Sequence, residues 1–124
     1  AYLPVDIDIK PGGYPKSINL GEHGLLPIAI LGSEDFDVGD IDSATVEIGG
    51  ITLAERGSAK APKLAFSFED VNSDGYLDIM TFFEVQTLVI EGILTETTTE
   101  LVINASLTDG RLIEGTDSVN IVNY

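Results

Sequence analysis

Leu101-Val-Ile-Asn-Ala-Ser-Leu-Thr-Asp-Gly-Arg-Leu-Ile-Glu114 decides the fold class of this chain. Leu101, Ile103, Ala105 and Leu107 alternate with Val102, Asn104, Ser106 and Thr108, the period of a strand with one buried face. Asp109-Gly110 is the strongest short hairpin signal, because glycine reaches the positive φ that a tight turn needs. Arg111 to Glu114 then returns as the second arm, and Ser118 to Val122 reads as a closing strand.

The same grammar extends toward the N-terminus. Val5, Ile7 and Ile9 alternate with Asp6, Asp8 and Lys10 until Pro11-Gly-Gly-Tyr-Pro15 breaks the pattern. Ser17 to Leu20 reads as a short continuation. Leu25 to Leu31 is a continuous apolar run, suited to a strand covered on both faces, with Pro27 near its start. Thr45 to Ile48 and Ile51 to Leu53 flank Gly49-Gly50 as a hairpin. Ser58 to Pro62 is small and polar and reads as a loop. Glu84 to Thr99 fits a strand or a short helix equally well. No convincing long helix and no solenoid period appears. The expectation is an all-β domain, an antiparallel β-sandwich of about eight or nine strands, jelly-roll or Ig-like.

Between two strand patterns lies Asp70-Val-Asn-Ser-Asp-Gly-Tyr-Leu-Asp78. Leu64, Phe66 and Phe68 alternate before it, and Asp78 to Phe83 is apolar and rich in strand formers after it. The loop spells Asp-x-Asn-x-Asp-Gly-x-x-Asp, oxygen donors at alternate positions around a glycine. Calcium takes six to eight oxygen ligands at about 2.3–2.6 Å, and a short loop can supply most of them. Asp70, Asn72 and Asp74 would offer side-chain oxygens, Tyr76 its carbonyl, and Asp78 a carboxylate directly or through water. An ordinary polar turn uses the same residue types. It has no reason to place three acidic groups and an amide at such regular spacing, where the charges repel without a cation. Position twelve, counted from Asp70, is Thr81 where an EF-hand carries a bidentate Glu. The loop therefore belongs with shorter calcium loops that close at the ninth position, its shell finished by water or another segment.

A second acidic stretch, Glu34 to Asp42, lacks that spacing and reads as a solvated turn anchored by Phe36, Val38 and Ile41. Asp6 and Asp8 read as outward polar residues of their strand.

Composition bounds the partners. The chain of 124 residues fits a single domain, residues 1–124, and its 44% hydrophobic content supports a core. With 21 acidic and 6 basic residues the formal net charge is −15. That argues against nucleic acid, whose binding rests on Lys and Arg, and against an anionic membrane surface. No run reaches the length of a membrane span. The chain has no cysteine, which removes disulfides, zinc thiolates and thiol nucleophiles. Ala1-Tyr-Leu-Pro4 lacks a signal-peptide pattern, so the chain reads as a mature protein or a module of a longer one. A calcium loop of modest charge is most useful outside the cell.

Val5-Asp-Ile-Asp-Ile-Lys-Pro-Gly13, Pro15-Lys-Ser-Ile-Asn19, Pro27-Ile-Ala-Ile-Leu-Gly32 and Asp35-Phe-Asp37 resemble an accessory module of large secreted or cell-surface proteins of bacteria and archaea. Glu69 to Asp78 and Gly115-Thr-Asp-Ser-Val119 continue the resemblance in order. It covers most of the chain except the stretch after Phe83. The resemblance implies an extracellular, non-catalytic module attached to other domains.

Catalysis finds little support. His23, the lone histidine, sits in the turn-like Gly21-Glu-His-Gly24, and no Gly-x-Ser-x-Gly elbow appears. A carboxylate pair for glycoside hydrolysis is expected by chance among so many acids. The expectation is a calcium module for adhesion, docking or architecture, its partners being neighbouring domains, a polysaccharide or a surface protein. The alternative is a carbohydrate-binding module of a secreted glycan-active enzyme. Without Trp it would rely on amphipathic rings among Tyr2, Tyr14, Tyr76 and Tyr124, with Tyr14 and Tyr76 in loops. Phe66, Phe68, Phe82 and Phe83 read as core. Asn104-Ala-Ser106 matches a glycosylation acceptor by chance.

Overall fold

The computed structural model describes residues 2–13, 16–58 and 61–122. Its strands, in chain order, are β1 (Leu3–Pro4), β2 (Ile7–Ile9), β3 (Ser17–Asn19), β4 (Leu25–Ile30), β5 (Glu47–Ile48) and β6 (Ile51–Thr52). There follow β7 (Glu55–Ser58), β8 (Ala61–Leu64), β9 (Phe66–Glu69), β10 (Asp78–Glu84), β11 (Glu100–Ser106), β12 (Leu112–Ser118) and β13 (Asn120–Val122). One short helix, α1 (Val85–Ile90), follows β10 directly.

Two sheets form the body of a mostly antiparallel β-sandwich. One has the order β1-β12-β11-β5-β6 and the other β2-β4-β10-β9. The hairpin read from Asp109-Gly110 joins β11 to β12, with Ala105 opposite Ile113 and Asn104 opposite Glu114. Leu101, Ile103 and Ala105 are buried while Val102, Asn104 and Ser106 are half-buried, as the alternation requires. From the facing sheet, Ile7, Ile9, Leu26, Ile28, Ile30, Ile79 and Phe83 complete one continuous core. The apolar run of β4 is central, between β2 and β10, and Ile28, Ala29 and Ile30 are all fully buried.

Several elements differ from the sequence expectation. There are thirteen strands among the described residues rather than eight or nine, because short edge pairings such as β1, β7 and β8 leave little periodic signal. Two of the pairings are parallel, β1 with β12 and β3 with β13. Of the loop read from Ser58 to Pro62, Ser58 ends β7 and Ala61 and Pro62 open β8, while residues 59 and 60 lie outside the described residues. Phe68 is not core but 47% exposed. The ambiguous stretch Glu84 to Thr99 resolves as the last residue of β10, then α1, which buries Val85 and Leu88, then turns up to β11. Glu34 to Asp42 forms a solvated turn ending in a 3-10 turn, where the Asp37 carboxylate accepts from Gly39 N–H at 2.8 Å.

Asp8 is not a free outward acid. The Lys16 ammonium pairs with both Asp8 and Asp117, and Asp117 Oδ2 also accepts the Ile9 N–H at 3.0 Å. This clamp ties the edge of β2 to β12. Burial opposes the charge on Lys16, but hydrogen bonds and attraction from Asp117 and Asp8 outweigh it and raise its pKa above the ordinary 10.5. Burial likewise opposes the charge on Asp117, yet the Ile9 N–H and Lys16 hold its carboxyl below the ordinary 3.8. The Lys16 contribution is therefore complete below 10.5 and lost as pH climbs through its raised value. That of Asp117 is complete above 3.8 and lost as pH falls through its lowered value. Lys16→Ala should cost about 1.5–3 kcal/mol in urea unfolding near neutral pH. The difference from the parent should shrink in strong acid and strong alkali; a cost independent of pH would contradict the clamp.

Candidate metal centre

The segment from Asp70 to Asp78 connects β9 to β10, antiparallel neighbours in which Glu69 lies opposite Asp78. The loop therefore begins and ends at the same end of the sheet. Two left-handed residues curl it, Ser73 at φ 58° and Gly75 at φ 90°. A side chain at Gly75 would meet no atom within 4 Å, so it is the backbone conformation that asks for glycine there.

Local hydrogen bonds shape the ring. Asp70 Oδ2 accepts from Gly75 N–H at 2.9 Å and Oδ1 from Asp74 N–H at 3.2 Å. Asp74 Oδ1 accepts from Tyr76 N–H at 2.9 Å. The Gly75 N–H is the main reason that the Asp70 carboxyl titrates below its ordinary 3.8, so it stays anionic at any neutral pH.

Asp70, Asp74 and Asp78 each offer a carboxylate oxygen, and those oxygens all lie within 4.8 Å of one another. Three carboxylates at that spacing can hold a metal ion, and without one their charges repel. Asn72 stands in the same ring. With Nδ2 inward its amide donates to Asp70 Oδ1 and Asp74 Oδ1, both at 3.0 Å. With Oδ1 inward it adds a neutral oxygen to the acidic ones, the orientation a cation would select. Tyr76 is in the loop and 42% exposed.

Asp78 has a role that the spacing did not reveal. It is fully buried, with Oδ1 accepting from Gly32 N–H at 2.8 Å and Oδ2 from Val71 N–H at 2.9 Å. Its carboxylate fastens the loop's first turn to the chain leaving β4, and each oxygen retains a lone pair for a ligand. Gly32 was missed as part of the site. A Cβ on it would fall 2.1 Å from the Leu77 carbonyl oxygen, so only glycine lets the two backbones approach. The closing glycine of Pro27 to Gly32 is the one signal in the sequence, and it does not name the partner it approaches.

The other candidates are not assembled into a site. His23 is exposed at the surface. Asn104 donates its side-chain amide to Glu114 Oε2 at 3.0 Å across the β11–β12 ladder. Tyr14 and Tyr124 lie outside the described residues. Among the described residues no helix is long and apolar enough to cross a membrane. No protein-family model, no curated protein and no solved structure matches this chain.

Proposed function

We propose that this chain is a non-catalytic, calcium-binding module of an extracellular multidomain protein, its ion fixing the turn from β9 to β10. The observation that carries this reading is the convergence of three carboxylate oxygens within 4.8 Å. Opposite ligands of an ion bound at about 2.4 Å lie about 4.8 Å apart, so one calcium ion can reach all three. Magnesium demands near-ideal octahedral geometry at about 2.0–2.1 Å and gives up its water reluctantly, which a flexible surface loop suits less well than calcium.

Asn72 supports the same ion. With Oδ1 inward, beside Asp70 and Asp74, it would add a neutral oxygen to the carboxylates, as a calcium shell accepts. Asp70, Asn72, Asp74 and Asp78 supply side-chain oxygens, the Tyr76 carbonyl a further one, and water the remainder. Extracellular modules bind calcium at about 10⁻⁴–10⁻³ M, the range suited to a small surface loop with a partly solvated shell. The task of the module is adhesion, docking or architecture, with neighbouring domains, a polysaccharide or a surface protein as partner.

Thermal melts with calcium, with magnesium and with chelator test the assignment. Calcium at a hundredfold excess over its dissociation constant should stabilise the fold by about 2.7 kcal/mol, magnesium by less. Asp74→Ala should melt like the parent in chelator and lose the calcium shift. A parent protein indifferent to calcium would overturn the reading.

A further inference from the structure

β8 and β9 follow one another along the outer edges of two sheets, β7-β8 and β2-β4-β10-β9. Strand β8 pairs with β7 and β9 with β10, both on the same side, and Ala65 joins them. The Ala65 N–H donates to the Ala54 carbonyl at 2.8 Å and its own carbonyl accepts from Phe82 N–H at 3.1 Å. Both groups of Ala65 thus point inward. Because backbone direction alternates along a strand, Leu64, Phe66 and Phe68 turn their N–H and C=O groups to the outer side. Among the described residues nothing pairs with them there. Pro62, also at an outward position, has no N–H to offer, the placement proline takes on an edge.

Pro62 and Lys63 blunt the β8 end of this edge, but its β9 end does not share that protection. Phe68 lies opposite the buried Ile79 and so faces the interior side of the sheet, yet it is 47% exposed. Phe66 touches it edge to face, with ring centroids 5.9 Å apart, and packs with Leu64 against the core. An open edge carrying an uncovered aromatic ring, that of Phe68, invites a further strand. Lys63, Ser67 and Glu69 are exposed on the opposite face.

We propose that this edge joins a second copy of the chain, β9 against β9 about a two-fold axis at Phe66, merging the two sheets into one. Antiparallel pairing about that axis sets Leu64 opposite the second copy's Phe68, and Phe66 opposite its counterpart. Every outward N–H and C=O from Leu64 to Phe68 then gains a partner. The same register places Lys63 directly opposite the second copy's Glu69, and by symmetry the reverse, so an attractive pair stands at each end. Beyond them Pro62 meets Asp70 and pairing stops. A self-complementary patch of this kind closes as a dimer rather than a fibre. The interface uses backbone and side chains outside the carboxylate ring, so it is independent of the metal assignment.

Sedimentation equilibrium from micromolar to millimolar protein, with calcium and with chelator, should show a monomer–dimer equilibrium in both. Lys63→Glu sets two like-charge pairs across the axis and should weaken the dimer roughly tenfold or more. The double swap Lys63→Glu with Glu69→Lys should restore it. The chain has no native cysteine, so Lys63→Cys with Glu69→Cys should form a covalent dimer on oxidation. Neither single cysteine variant should do so, because like positions are far apart across the axis. Circular dichroism checks that each variant is folded. A parent that stays monomeric throughout, or a folded double swap that does not recover association, overturns the proposal.

Discussion

Asp78→Ala should lower the stability of the metal-free protein by about 3–5 kcal/mol, whereas Asp74→Ala should cost about 1 kcal/mol or less. The two residues stand in one carboxylate ring but differ in surroundings. Asp74 is exposed and makes a local bond to the Tyr76 N–H. Asp78 is fully buried and accepts charge-assisted hydrogen bonds from Gly32 and Val71. Each such bond is worth about 1.5–3 kcal/mol, and truncation would leave both N–H donors without the acceptor they are built around. In chelator the melting temperature of Asp78→Ala should fall by about 10–20 °C. Asp74→Ala should lie within a few degrees of the parent under the same conditions. Equal melting of the two variants without metal would show that Asp78 is not an anchor.

Gly32→Ala should be at least as damaging, with a loss of about 3 kcal/mol or more in chemical denaturation, with or without metal. The added Cβ would fall 2.1 Å from the Leu77 carbonyl oxygen. The obstacle is backbone, so no rotamer change relieves it. Any shift that accommodates the methyl also lengthens the bond from the Gly32 N–H to Asp78, and the clash and the lost bond reinforce each other. Gly75→Ala is the informative contrast. Its Cβ would meet nothing within 4 Å, so its cost is the left-handed conformation alone, about 1–2 kcal/mol. A Gly32→Ala protein as stable as Gly75→Ala would mean that the approach of the β4 end to Leu77 is not a fixed feature of the fold.

The carboxylate ring was legible because its chemistry is local. Asp70, Asn72 and Asp74 are two residues apart with Gly75 beside them, and a short loop closes on itself without help from distant chain. The β11–β12 hairpin was legible for the same reason, since period-two alternation and Asp109-Gly110 act over a few residues. What escaped involves partners far apart in sequence. Gly32 and Asp78 meet across 46 positions, and Lys16 and Asp117 across 101. Phe68 continues the buried alternation of Leu64 and Phe66, yet its strand is the last of its sheet and the ring stays uncovered.

By itself the sequence determined an all-β chain, the hairpins at Gly49-Gly50 and Asp109-Gly110, and a ring of oxygen donors between two strands. These follow from backbone preference, two-residue periodicity and short-range charge repulsion, all of which are written in neighbouring residues. Only the tertiary structure decided that Asp78 is a buried anchor, that Gly32 permits two backbones to touch, and that β8 and β9 lie at open sheet edges. Burial and strand order are properties of which distant segments come to lie side by side. A residue's place in a sheet, centre or edge, is set by neighbours that its own stretch of sequence does not contain.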